Sequence, residues 1–147
     1  QDEAVIVIAT DPHLVALGER LVARGIDVVA ARWQGLYVPL SADLVLSQFS
    51  SPQGGIDEAR FVAVIGALVD GARAGTDRRV RGFGEMVALL WRGGRHEDTV
   101  KLERLWNRLC REQRVAVMCA YPLQGFEGGQ LDTIRDVCAA HSRLVVG

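Results

Sequence analysis

Apolar residues fall along this chain in two rhythms. Unbroken runs of strand length alternate with stretches in which apolar residues recur every three or four positions. The first run, Ala4 to Ala9 (AVIVIA), contains no polar residue, as in a strand covered on both faces. Leu14, Leu17 and Leu21 then repeat at helical spacing. Thr10-Asp11-Pro12 opens that helix: Asp11 is placed to cap it, and Pro12 stands at the first helical position, where a missing N–H costs nothing. Gly25 closes it. Asp27 to Ala31 reads as a second strand, completing a βαβ unit with a parallel pair and a right-handed crossover.

The next stretch, Trp33 to Leu40, is less regular. Leu36, Tyr37 and Val38 suit a short strand stopped by Pro39. Ser41 then caps a short helix through Phe49, and Ser50 to Gly55 (SSPQGG) is a loop. Asp57 caps a longer helix whose buried stripe is Phe61, Val64, Ile65, Leu68 and Ala72. Ala74 to Arg78 leads out of it. Arg79 to Trp91 (RVRGFGEMVALLW) is the centre of the pattern: a strand from Val80 to Phe83, a one-glycine turn at Gly84, and a helix with Glu85 in its first turn. Ligands of open α/β sheets bind beyond the carboxyl ends of strands, so Glu85 stands where such a protein works; ordinary capping is the plainer use of the same position.

Gly93-Gly94 breaks the chain again. His96 to Gln113 is the strongest amphipathic helix, with Leu102, Leu105, Trp106 and Leu109 inward and Glu103 and Arg104 outward or to the side. Val115 to Tyr121 (VAVMCAY) is an apolar strand ended by Pro122. A loop from Leu123 to Gly129 carries Phe126. A helix to about Ala140 follows, with Leu131, Ile134 and Cys138 inward, and Leu144 to Val146 suits a last strand. There is no internal repeat and no long linker. The pattern predicts one α/β domain over residues 1–147, a three-layer sandwich with a mainly parallel sheet.

Composition adds limits. A chain of 147 residues suffices for one domain with a real core. Its 49% hydrophobic and 24% charged residues are an ordinary globular balance. A net charge of −1 leaves no electrostatic footprint for direct nucleic-acid binding. No apolar run reaches membrane-span length. Three scattered cysteines, Cys110, Cys119 and Cys138, suit a reduced, cytoplasmic protein.

Candidate chemistry is sparse. The first strand–helix turn, ATDPHL, has neither glycine nor lysine, so it is no phosphate cradle; GxGxxG and GxSxG are absent. Cys119 in an apolar strand has no recognisable base partner and reads first as a small hydrophobe. Cys138 and His141 are three apart at a helix end, and Cys110 and Cys119 could in principle join them. Structural zinc sites show two close pairs, and only one is present, so no metal is assigned. Trp91, Trp106, Tyr121 and Phe126 suit either a pocket lining or a core.

GEMVALLW, LERLWNRL, MCAYPLQGF and VCAAHS, in that order, resemble the MEDS family, the sensory domains named for methanogens, methylotrophs and DcmR. IATDPHLVALGERLVARGIDV and LYVPL fit the same pattern, so the resemblance covers essentially the whole chain. It implies a fold similar to the RecA/KaiC-type ATPases with a degenerate nucleotide site. It also implies sensing of small hydrocarbon-like molecules and signalling to a histidine kinase, a DNA-binding regulator or an anti-sigma module. Family members typically carry a further strand and helix ahead of the segment at 3–7, and no output module is present, so an uncovered sheet edge and a homodimer are expected. The resemblance supports Thr10, His13, Glu85, Trp91, Trp106, Cys119, Tyr121, Phe126 and His141 as ligand-binding residues of a non-catalytic sensor without cofactor. Thr10, Glu85 and Tyr121 follow strand ends and are expected to share one crevice. A relic ATPase using Glu85 as base and a pure interaction module are the alternatives.

Overall fold

The alternating pattern builds an α/β sandwich around a sheet of four parallel strands among the described residues. The computed structural model describes residues 3–121, 131–141 and 143, without the side chains of 131–134. Along the chain come β1 (Glu3–Ala9), α1 (Asp11–Ala23), α2 (Val28–Trp33), β2 (Tyr37–Ser41), α3 (Ala42–Ser47), α4 (Glu58–Arg73), β3 (Arg79–Gly84), α5 (Met86–Arg92), α6 (His96–Gln113), β4 (Ala116–Cys119) and α7 (Leu131–Ala139). Phe126, the loop at 123–129 and the suggested strand at 144–146 lie outside the described residues, as do the side chains of Leu131 and Ile134.

The strand order is β2-β1-β3-β4. One face of the sheet, with Ala4, Ile6, Ile8, Val80 and Val117, packs on the main core. Phe61 and Ile65 of α4, Met86 and Leu90 of α5, and Leu102, Leu105 and Leu109 of α6 complete that core. Phe61 meets Phe49 and Trp106 edge-on, at 5.3 and 5.2 Å between ring centres, a favoured aromatic geometry. Helices α1 and α2 touch β1 and β2 but give no residue to this core, so they cover the opposite face. Val15, Val22, Val29 and Trp33 on these two helices are exposed, as is Met118 on β4. Among the described residues no helix is long and apolar enough to cross a membrane.

The order also fixes where a site can form. The chain steps from β1 to β2, then crosses back over β1 to β3. The helices after β1 and β3 therefore leave on opposite faces, and a crevice opens between the carboxyl ends of those two strands.

Several predicted elements move. The strand expected at 27–31 is the helix α2, because the Asp27 carboxylate accepts the Ala30 N–H at 2.8 Å and caps a helical turn. The strand expected to stop at Pro39 runs through it to Ser41. Pro39 pairs with Val7 on an edge strand, where a missing N–H is tolerated. Gly84 is a paired strand residue opposite Ile8 and Cys119, not a turn. Thr10, not Asp11, is the cap residue of α1, and α3 ends at Ser47 rather than reaching Phe49. Strand β4 is shorter than the apolar run that encodes it. The Asp57 cap and the bounds of α6 hold as predicted, and of the α4 stripe Phe61, Ile65 and Ala72 are buried while Val64 and Leu68 are half-buried beside a buried Val69.

Candidate functional site

Glu85 is the N-cap residue of α5, one position ahead of the first turn expected for it, but its side chain makes no cap bond to that helix. Its backbone N–H extends the β1–β3 ladder by donating to the Ile8 carbonyl at 2.9 Å. Its carboxylate turns across the crevice instead. Oε2 accepts the Thr10 N–H at 2.9 Å and the Thr10 hydroxyl at 3.3 Å, and Oε1 lies 2.7 Å from His13 Nδ1. Glu85 thus caps the neighbouring helix α1, with its charge at the positive end of that helix. Thr10 and Glu85 meet as the sequence suggested, joined by His13, and the Glu85 carboxylate is engaged by both.

The second cluster sits further along the same edge of the sheet, where β4 ends against α6. At its centre is Glu103, only 3% exposed. This corrects the expectation that Glu103 looks outward or to the side. The Tyr121 hydroxyl donates to Oε1 at 2.5 Å, a length typical of bonds to an ionised acceptor. The Cys119 thiol donates to Oε2 at 3.3 Å. His141 Nε2 lies 3.3 Å from the same oxygen, while its Nδ1 donates to the Val137 carbonyl at 2.7 Å. The Asn107 amide holds the Ala140 carbonyl and so ties the end of α7 to α6.

Burial governs the ionisation of this cluster. It pushes the Glu103 carboxyl up, against the opposing pull of the Tyr121 hydroxyl, His141 and Cys119. It raises the Cys119 thiol well above its ordinary range, helped by the charge of Glu103. Tyr121 is raised for the same two reasons in the same order. Cys110, nearby on α6, is raised chiefly by burial.

A cleft of about 290 Å³ opens over Glu103, walled by Trp106, Asn107, Cys110, Val117, Cys119 and His141. Thr10, His13 and Glu85 are not among its described walls, so the single expected crevice is two separate places. Trp91 is 3% exposed and packs with Val100 and Val137, its ring edge-on to Tyr121 at 6.4 Å and to His96 at 4.4 Å. It is a core residue one layer behind the cleft. Trp106 serves both uses: it packs on Phe61 and lines the cleft.

Residues 1–142 match the model of the methanogen/methylotroph, DcmR sensory domain, MEDS. The chain belongs to the MEDS family. No curated protein and no solved structure matches it. The four motifs that carry the resemblance converge within this MEDS domain. GEMVALLW supplies Trp91, LERLWNRL supplies Glu103 and Trp106, MCAYPLQGF supplies Cys119 and Tyr121, and VCAAHS supplies Val137 and His141. Glu103 was the residue missed. Thr99, Glu103, Trp106 and Cys110 form one stripe at helical spacing, and its neighbours Thr99 and Trp106 are buried. That stripe was the available signal.

Proposed function

We propose that this MEDS domain is a non-catalytic, cytoplasmic sensor that binds a small molecule in the cleft over Glu103. It passes the signal through protein contacts to a kinase, transcription or anti-sigma module. One observation carries the reading: a buried carboxylate, engaged by three polar side chains from β4 and the ends of β4 and α7, forms the floor of an open cleft. A few convergent polar groups under an apolar wall are what orient a small ligand, and about 290 Å³ lies at the small end of such sites. The same burial keeps the Cys119 thiol protonated and a poor nucleophile, which supports a binding role over thiol catalysis there. Exposed Val15, Val22, Val29 and Trp33 on α1 and α2 supply an apolar surface for the outgoing contact, including that with a second copy.

Native mass spectrometry of the purified protein tests the ligand. A mass above that of the bare chain is expected, and it should be lost in Cys110→Phe, which fills the cleft wall. A bare chain for both proteins, with no small organic molecule shifting the melting temperature of the wild type, would remove the support for a ligand site.

A further inference from the structure

Glu103, Cys119 and His141 offer one oxygen, one sulfur and one nitrogen, all within 4.8 Å of one another. Their arrangement is narrower than proximity alone. Oε2 of Glu103 lies 3.3 Å from Cys119 Sγ and 3.3 Å from His141 Nε2. Zinc bonds to such atoms run about 2.0–2.3 Å, so the edges of a zinc tetrahedron measure about 3.3–3.7 Å. The two separations therefore fit donors around one small cation.

Two further observations point to a ligand between them. The Val137 carbonyl can only accept, so the ring proton of neutral His141 is on Nδ1 and Nε2 carries a lone pair. That lone pair faces an oxygen of the Glu103 carboxylate, itself only 3% exposed, an arrangement that calls for a cation or a proton between the two. Outer hydrogen bonds also fix the donors as they do in metal centres: Val137 orients the His141 ring, and Tyr121 holds the other oxygen of Glu103. The fourth side of the group opens on the cleft, whose walls include Glu103, Cys119 and His141.

We propose that Glu103, Cys119 and His141 bind a zinc-class divalent ion whose fourth position faces the cleft, and that a small molecule bearing an oxygen donor is sensed there. A mixed sulfur, nitrogen and oxygen set selects zinc over magnesium or calcium, and three protein ligands leave the fourth position open to water or a small molecule, as in zinc sites that bind substrate, here used for sensing. Cys119 releases its thiol proton to solvent when the metal binds, and the incoming oxygen donor displaces a metal-bound water. The inference deepens the sensor reading and rests on it for the cleft's occupant.

Elemental analysis of the purified protein is expected to give one zinc per chain. Chelator-treated protein titrated with cobalt(II) should show a thiolate charge-transfer band in the near ultraviolet that saturates at one equivalent. Cys119→Ser should abolish that band, and Cys138→Ser, outside the set, should keep it. His141→Gln, at a partly exposed helix end, should weaken cobalt binding at least tenfold, and circular dichroism of each variant checks folding before titration. Ethanol or acetaldehyde should shift the visible cobalt bands. A band that survives both Cys119→Ser and His141→Gln, or none in the folded wild type, overturns the metal site. A co-purified molecule without metal overturns it too, while leaving the sensor reading in place. Cobalt bands indifferent to both probes overturn the assignment of an oxygen donor as the sensed group.

Discussion

At the scale of single residues, Glu103 sets the behaviour of its surroundings. Burial raises its carboxyl above the ordinary value. Between that ordinary value and the raised one, the folded state holds a proton that the unfolded state has lost. Stability contributed by protonated Glu103 is therefore complete below the ordinary value and declines as pH rises through the window. Glu103→Gln removes the titration, and its amide can still accept from Tyr121. In chelator-treated protein, the gain in melting temperature from about pH 8 to about pH 5 should be smaller in Glu103→Gln than in wild type. An equal gain in both would place the slope on another group. Trp91 gives a second prediction. At 3% exposure, with Val100, Val137 and Tyr121 against it, truncation to alanine should cost about 3–5 kcal/mol. The variant should melt far below wild type with or without any small molecule added. A loss under about 1 kcal/mol would return Trp91 to the pocket lining. Sequence alone could not separate these uses, because a tryptophan at helical spacing looks the same in a core and in a pocket. Glu103 was harder still, an acid beside Arg104 on a helix rich in charge, whose partners come from β4 and from the end of α7.

At the scale of elements, legibility followed the strength of local signals. Asp57 with the α4 stripe, and the amphipathic pattern of α6, were readable because cap and periodicity agree within one segment. Asp27 shows the opposite case. Val28 and Val29 argue for a strand, but the Asp27 carboxylate on Ala30 N–H selects a helix, and β2 takes the place beside β1 instead. Pro39 was misread as a stop because edge position, which makes it harmless, is a property of the sheet and not of the segment. Gly82 was unremarked in the sequence and is constrained in the sheet. It pairs with Val117, and a Cβ there would stand 3.0 Å from the Val117 side chain, which lines the cleft. Gly82→Val should therefore cost about 1–3 kcal/mol through overpacking between β3 and β4. Urea unfolding would measure it, and an unchanged midpoint would mean that Val117 yields freely.

At the scale of the whole molecule, the order β2-β1-β3-β4 sets two clusters along the sheet edge, one between the ends of β1 and β3 and one where β4 ends against α6. The crevice between β1 and β3 is where an open α/β sheet offers a helix N-terminus to an anion. That offer is already met: the Glu85 carboxylate sits on the Thr10 N–H and hydroxyl and beside His13. The parallel order was foreseeable from alternating runs, and so was a role for Glu85 at a strand end. Its direction was not, since the partner is 75 residues away in sequence. A nucleotide would have to displace a charged group from part-buried hydrogen bonds, worth about 1.5–3 kcal/mol each, and would then meet ATDPHL, with no glycine to admit a phosphate and no lysine to hold it. Millimolar Mg-ATP at a site with a Kd of about 10 μM would add about 2.7 kcal/mol, raising the melting temperature of a domain this size by roughly 5–10 °C. No such rise is expected, either in wild type or in Glu85→Ala, where the crevice is emptied but the cradle is still missing. A magnesium-dependent rise in wild type, with phosphate released, would favour an ATPase. A rise in Glu85→Ala alone would mean that Glu85 is all that bars the anion, and that the turn after β1 is a better phosphate site than its residues suggest.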